Sequence, residues 1–253
     1  MKILAIGDII GQVGIKKFLN EYSKLKEKID FCIVNAENAA DGFGLLESQY
    51  KMLSEAGVDV ITMGDHTWGK KDIFKYVENS NIIRPANLPK QNPGKGYVVI
   101  EKNGKRICAI NIIGRTFMNV LSDNPFECMD KLLSEVQADY YIVDFHAEAT
   151  AEKIAMSKYL DGRVSIIYGT HTHVQTADEQ ILEKGTGYIT DLGMTGPKNS
   201  VIGMDVEASL KRFTMSIPER YKLAEGEAKL NGCIFEIDDN SKRVISIERI
   251  IVE

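Results

Sequence analysis

Five strand-like runs in this 253-residue sequence end in residues able to hold a metal ion. They are Asp8 after Gly7, Glu37 and Asn38 in Asn35-Ala36-Glu37-Asn38, Asp65 and His66 in Gly64-Asp65-His66, His146, and the two histidines of Gly169-Thr170-His171-Thr172-His173. All four histidines of the chain belong to this set. Taken singly, a histidine after a strand is a satisfied structural residue and an acidic residue there caps a helix. Their conjunction points to a metal centre, because ligands of an open α/β sheet bind at the carboxyl ends of its strands. His171 and His173 are spaced i and i+2, which in an extended segment projects both imidazoles to one side. They can then reach one metal or two adjacent ones. Oxygen and nitrogen donors without thiolates suit Mn, Fe, Zn or Co. Six or seven ligands are too many for one ion. Two ions sharing one carboxylate, roughly 3.5–4 Å apart, fit the number and imply hydrolytic phosphoryl chemistry.

The elements that must position these residues alternate between strand and helix patterns. Lys2 to Gly7 reads as a buried strand, Ile15 to Lys28 as a helix with Phe18, Tyr22 and Leu25 on one face, and Phe31 to Asn35 as the next strand. A helix over Glu47 to Ala56 and a strand over Val58 to Met63 continue the alternation, which implies a largely parallel sheet covered by helices. Two β-rich runs between Tyr97 and Ile113 turn at Asn103-Gly104, a hairpin dipeptide. Further on, Pro125 to Val136 and Ala151 to Lys158 read as helices, and Tyr140 to Phe145 and Val164 to Tyr168 as strands. The β-rich stretch Ile181 to Thr190 precedes a Gly-rich loop, Leu192 to Gly203. A hairpin, Gly232 to Ile237 with Arg243 to Val252, closes the chain. No repeat or linker interrupts the pattern, so residues 1–253 are expected to form a single domain with two sheets.

Composition narrows the function classes. Hydrophobic residues make up 44% and charged residues 26%, an ordinary globular balance that excludes disorder and collagen-like repeats. A net charge of −5 without a basic block disfavours long nucleic acid as a partner. There is no membrane-length apolar run and no secretory leader pattern, so a cytoplasmic protein is expected. Cys32, Cys108, Cys128 and Cys233 lack metal or redox spacing and read as buried free thiols. The glycines of GDIIGQVG fit neither GxGxxG nor GxxxxGK[ST], which rejects a dinucleotide or P-loop reading.

The order of these residues resembles the calcineurin-like metallophosphoesterases. Within that superfamily GDIIG, NAENAADGFG, GDHTW, RPAN, HAEATAEK and GTHTHVQTAD are similar to the YmdB-like bacterial branch. The resemblance implies an α/β fold of αββα type, a two-sheet β-sandwich flanked by helices, and phosphodiesterase activity on 2′,3′-cyclic nucleotides. It makes Glu37 a bridging carboxylate. Asp8 and His173 would hold one metal, with Asn38 as a further ligand, and Asp65, His146 and His171 the other. The superfamily's histidine two residues after its first aspartate is Ile10 here, as in the branch, which leaves the first metal a ligand short and gives Asn38 its role. Where the family has Gly-Asn-His this chain has Gly64-Asp65-His66. Two divalent ions bring four positive charges and Asp8, Glu37 and Asp65 remove three, so the site is expected to be a weaker electrophile or to tolerate a trivalent ion.

His66 is the histidine the ligands can spare, and is assigned as the general acid that protonates the leaving alkoxide, with a hydrogen-bonding support role as the alternative. Thr67 is expected to cap a following helix whose free N–H groups face the anionic substrate. Arg115 and the loop Gly193 to Gly196 are candidates for phosphate or nucleoside contacts, against surface and turn roles. Trp68 stacks on a base or packs in the core. The expected protein is thus a phosphodiesterase that uses two transition-metal ions, Fe or Mn with Zn as the alternative. Its partner is a small phosphodiester or cyclic nucleotide, with no membrane and with self-association left open. A phosphomonoesterase, an RNA-processing nuclease and a noncatalytic scaffold are the competing classes.

Overall fold

The computed structural model describes residues 1–220 and 222–253. In chain order the first half runs β1 (Lys2–Ile6), α1 (Gly11–Leu25), β2 (Phe31–Asn35), α2 (Glu47–Ala56), β3 (Val60–Thr62), β4 (Ile82–Ile83), β5 (Tyr97–Lys102) and β6 (Lys105–Ile113). It continues with α3 (Pro125–Glu135), β7 (Tyr140–His146), α4 (Thr150–Leu160), β8 (Ile166–Thr170), β9 (Gln180–Ile181), β10 (Gly187–Ile189) and β11 (Gly196–Pro197). The chain closes with α5 (Val206–Met215), β12 (Ala228–Ile237) and β13 (Val244–Val252).

Two sheets form. One has the order β11-β12-β1-β2-β3-β4 with β13 paired to β12, and the other the order β5-β6-β7-β8-β10-β9. β1 to β4 are parallel, as are β6, β7, β8 and β10, and antiparallel strands border both sets. The period of two along each strand makes three apolar layers. Ile3, Ala5, Phe31, Ile33, Val60, Tyr140, Ile142, Ile166 and Tyr168 fill the space between the sheets. The alternate residues Leu4, Ile6, Cys32 and Val34 pack outward on Phe18, Tyr22 and Leu53 of α1 and α2. Likewise Cys108, Ile110, Val143 and Phe145 pack on Met129, Leu132, Met156 and Leu160 of α3 and α4. The result is the expected helix-sheet-sheet-helix sandwich.

Following the inward face towards the strands' carboxyl ends, apolar residues give way to polar ones at the same parity. Ile33 is succeeded by Asn35, Val60 by Thr62, Ala109 by Asn111, Tyr168 by Thr170, and Ile142 by Asp144 and then His146; all six polar residues are buried. The buried end of the inter-sheet core is therefore a polar floor, and it is there that the strand ends from both sheets converge.

Several boundaries differ from the sequence reading. α1 begins at Gly11 rather than Ile15 and its α-helical part ends at Leu25, with Lys26–Lys28 a 3-10 turn. Glycines at 11 and 14 hide the first turn from an apolar-periodicity argument. β7 extends through His146, so that expected ligand lies on the strand and not after it. α5 had no counterpart in the sequence reading; Asp205 caps it, accepting a hydrogen bond from the Ala208 N–H at 3.0 Å, but its apolar residues Leu210, Phe213 and Met215 are exposed. Among the described residues no helix is long and apolar enough to cross a membrane. The four cysteines are free, and three of them are buried.

Candidate metal centre

Glu37 from the β2 end, Asp65 after β3, His146 on β7 and His171 after β8 present ligand atoms that all lie within 4.8 Å of one another. His146 Nε2 stands 3.0 Å from Glu37 Oε1 and 2.9 Å from Asp65 Oδ1. His171 Nδ1 lies 3.1 Å from His146 Nε2 and 3.3 Å from Asp65 Oδ1. Such crowding of strand ends needs Gly64: a Cβ there would overlap His146 Nε2 and sit 2.5 Å from Glu37 Oε2.

Asp8, Asn38 and His173 form a second group beside this cluster. His173 Nε2 is 3.6 Å from Asp8 Oδ1 and 3.3 Å from Asn38 Nδ2, while Asn38 Nδ2 is 3.4 Å from Asp8 Oδ1. The second Asp8 oxygen accepts the His171 N–H at 3.1 Å. All seven expected ligands are thus brought together. The expectation of an extended His171-Thr172-His173 segment is not met, because His171 (φ 98°) and His173 (φ 64°) both adopt left-handed backbone. The bend sends the two rings to different groups instead of one side.

The donor set fits metal. The ring nitrogens that face away from the cluster are occupied: His146 Nδ1 bonds Thr170 Oγ1 at 2.9 Å, and that hydroxyl donates to Asp144 Oδ1 at 2.7 Å. His173 Nδ1 donates to the Ile202 carbonyl at 2.8 Å, and His171 Nε2 meets Glu148 Oε2 at 3.1 Å. Each contact fixes a tautomer whose lone pair points into the site, the usual outer support of a ligating imidazole. Burial opposes ionisation of Glu37, but the adjacent His146 draws its pKa below the ordinary value. Burial likewise opposes ionisation of Asp65, and hydrogen bonds from His146 and His171 hold it well below the carboxylate range. His146 is pushed well above its usual value, against its burial, by Glu37 and Asp65. The carboxylates thus stay ionised and attract positive charge, the state that ligates a cation. Beneath them Asp144 is pushed up to about 6 by burial, an effect that His146, Thr62 and Thr170 moderate.

His66 lines the mouth of the site. Its backbone N–H donates to Glu37 Oε2 at 2.8 Å, its Nδ1 meets Asn38 Oδ1 at 2.8 Å, and its Nε2 is 3.5 Å from Asp65 Oδ2. Phe43 packs on the ring with centroids 4.6 Å apart. Thr67 does not cap a helix: residues 65–68 form turns, and its buried hydroxyl donates to the Gly64 carbonyl at 2.6 Å. It shapes the Asp65-His66 turn and presents no N–H terminus to a substrate. Arg115 is exposed on the loop after β6, with its backbone N–H on the Glu152 carboxylate at 3.0 Å, and it is not among the pocket's lining residues. The Gly193 to Gly196 loop is buried against residues 7–10, which follow β1, and there the Thr195 N–H donates to the Asp8 carbonyl at 2.9 Å. Trp68 stacks on Phe74 at 5.2 Å and serves packing.

Sequence reasoning missed Asp144, Thr170 and Glu148. Asp144 lies two positions before His146 on the same strand face, a period-two signal that could have identified it. Glu148 carries no comparable signal, since only the fold brings it to His171.

A pocket of about 280 Å³ opens over the cluster, lined by Glu37, Asn38, His66, Glu148, His171, Thr172 and His173, with Ile202 and Met204 forming an apolar side. Among the described residues no lysine or arginine lines it.

Comparison with known proteins agrees with this arrangement. The family model described as YmdB-like protein matches residues 4–250. A Bacillus subtilis protein named 2′,3′-cyclic-nucleotide 2′-phosphodiesterase is 49% identical over 258 residues, spanning 100% of this chain and 97% of its own. A crystal structure of a hypothetical protein from Thermus thermophilus superposes with a TM-score of 0.96 at 40% identity, covering 100% of this chain and 99% of that one. A crystal structure of a Mycoplasma pneumoniae protein described as a novel phosphatase gives 0.95 at 41%, covering 100% and 93%. The chain belongs to the YmdB-like family.

Proposed function

We propose that this metal-dependent phosphoric ester hydrolase is a binuclear phosphodiesterase acting on 2′,3′-cyclic nucleotides. The observation that carries the reading is a small pocket lined by Glu37, Asn38, His171 and His173 of the expected ligands and by His66 outside that set, over a partly buried group of Glu37, Asp65, His146 and His171 that could hold a metal ion. Asp65, His146 and His171 would hold one ion, Asp8, Asn38 and His173 the other, and Glu37 would bridge them. Bound there, two divalent ions supply Lewis-acid polarisation of the phosphoryl group and activation of a water. Fe or Mn suits these nitrogen and oxygen donors.

The chain's own residues handle the proton and the leaving group. Ligation by Asn38 requires its amide oxygen to face Asp8 and His173, the place its Nδ2 holds in the structure. Exchange of the two amide atoms then turns an N–H towards His66 Nδ1. That hydrogen bond leaves His66 Nε2, the atom beside Asp65 at the pocket, as the N–H donor to the leaving oxygen. Ile202 and Met204 offer an apolar surface to a nucleobase. A pocket of this size without lysine or arginine suits one mononucleotide and lacks the cationic track that a long strand needs. A 49%-identical relative named for this substrate supports the choice.

Hydrolysis of 2′,3′-cyclic AMP with Mn²⁺, after and before chelation, tests the reading. Metal-dependent turnover of the cyclic diester above that of p-nitrophenyl phosphate is expected. Preference for the monoester would favour the phosphatase description carried by the Mycoplasma structure, and no hydrolysis of either would favour a scaffold.

The acidic ligand at position 65 makes a separate prediction. An anion binds a cation more firmly than an amide does but reduces the charge available to the phosphoryl oxygens. Asp65→Asn should weaken retention of the ion held with His146 and His171, move the rise of the pH–rate profile to lower pH and increase turnover at saturating Mn²⁺. An increase of about 10- to 100-fold is expected, since one pKa unit corresponds to about 1.4 kcal/mol. Unchanged or reduced turnover with two divalent ions bound would refute this charge argument.

A further inference from the structure

Lys153, within the HAEATAEK motif, lies near the start of α4, and its side chain is 1% exposed. Its ammonium donates to the Thr170 carbonyl at 2.8 Å and to Asp191 Oδ2 at 2.6 Å. The same Asp191 oxygen accepts the Thr172 N–H at 3.2 Å, while Oδ1 accepts the Gly193 N–H at 2.8 Å. One ion pair therefore grips the carbonyl before His171 and the amide after it. The stem reaches this point because residue 169 is glycine; a Cβ there would lie 2.9 Å from both Cδ and Cε of Lys153.

We propose that Lys153, through its pairing with Asp191, is a positioning residue of the metal centre that holds the left-handed turn sending His171 and His173 to different metal-ligand groups. Neither histidine favours a positive φ, and such backbone persists only where its surroundings over-determine it. Released, residues 170–173 relax towards extended backbone, in which 171 and 173 project to one side. The two groups then compete for the same pair of rings. Lys153 is no substrate contact, being absent from the pocket lining. The inference concerns metal retention and stands whichever phosphoric ester is hydrolysed.

Removing one partner of a buried ion pair strands the other charge, whereas replacing both by apolar residues commonly preserves the fold. The test is therefore Lys153→Met/Asp191→Leu. In metal-free protein, amide exchange across residues 169–175 should accelerate at least about tenfold while β1 and α1 keep parental protection. Mn²⁺ affinity by equilibrium dialysis should fall about 10- to 100-fold, the range for loss of an outer support of a metal ligand. At saturating Mn²⁺ the KM for bis-p-nitrophenyl phosphate should return to the parental value. A folded double variant that binds Mn²⁺ as the parent does overturns the proposal. Should it not fold, Asp191→Asn keeps shape and one acceptor without the charge; a severalfold loss of Mn²⁺ affinity is then expected, and parental affinity is the overturning result.

Discussion

Glu37→Ala is expected to release metal and abolish hydrolysis, the largest loss of any single replacement in this protein. The carboxylate is 1% exposed, reaches His146 with one oxygen and takes the His66 N–H with the other, and is the only group proposed to serve both ions. Its removal would take one carboxylate from each proposed ion. Elemental analysis of parental protein never exposed to chelators should find two transition-metal ions per chain, and the variant at most one. Turnover of bis-p-nitrophenyl phosphate should fall on the order of 10³-fold or more, the equivalent of several kcal/mol of lost charge stabilisation. A parental stoichiometry of one with full activity would sink the binuclear model, and a variant retaining two ions would remove Glu37 from the bridge.

His66→Ala should behave in the opposite way towards metal. The hydrogen bond to Glu37 comes from the His66 backbone N–H and survives the substitution; the ring's contacts to Asn38, Asp65 and Phe43 and its 3.7 Å approach to Glu37 Oε1 are lost. Both ions should remain, and kcat on 2′,3′-cyclic AMP should fall by about 10²–10⁴-fold, the usual contribution of general acid catalysis. The leaving group discriminates further. Nitrophenolate departs without a proton, so the loss on bis-p-nitrophenyl phosphate should be at least about tenfold smaller than on the ribose diester. Equal losses on the two substrates would point to a supporting hydrogen bond in place of proton donation, and loss of metal would move His66 among the ligands.

The two variants separate the roles because the site keeps its charges apart by depth. Glu37, Asp8 and His146 are buried on the polar floor between the sheets, where an uncompensated charge is costly and an ion is held firmly. His66 and Glu148 sit at the mouth, where a group can meet substrate and exchange protons. Behind the floor, α4 supplies two adjacent side chains that do neither: Glu152 accepts the Arg115 and Thr116 N–H groups, and Lys153 holds the histidine turn. HAEATAEK thereby gains a physical meaning beyond its histidine.

From sequence alone the strand–helix alternation and the candidate ligands were legible for one reason: both depend on residue type over short stretches of chain. Short continuous apolar runs mark the strands, helical spacing of apolar residues marks the helices, and metal-ligand types recur where strands end, so Asp8, Glu37, Asp65, His146, His171 and His173 could be chosen as candidates before any contact was known. Boundaries failed where small residues carry the packing, as at Gly11 and Gly14 of α1, or where an exposed helix such as α5 answers to its cap and not to a core. Which candidate ligands share a neighbourhood is implied by the family resemblance but is not legible from local spacing, because Glu37, Asp65, His146 and His171 are distant in the chain and meet through the stacking of two sheets. The tertiary structure alone decided the conformation of His171-Thr172-His173. The local rule there favours extended backbone, and the left-handed turn exists because Lys153 and Asp191, from a neighbouring helix and strand end, grip the peptides on either side of His171. Distant groups can impose a conformation that the segment's own sequence disfavours only once they are buried together, where an ion pair acts in low dielectric and water cannot compete for its hydrogen bonds.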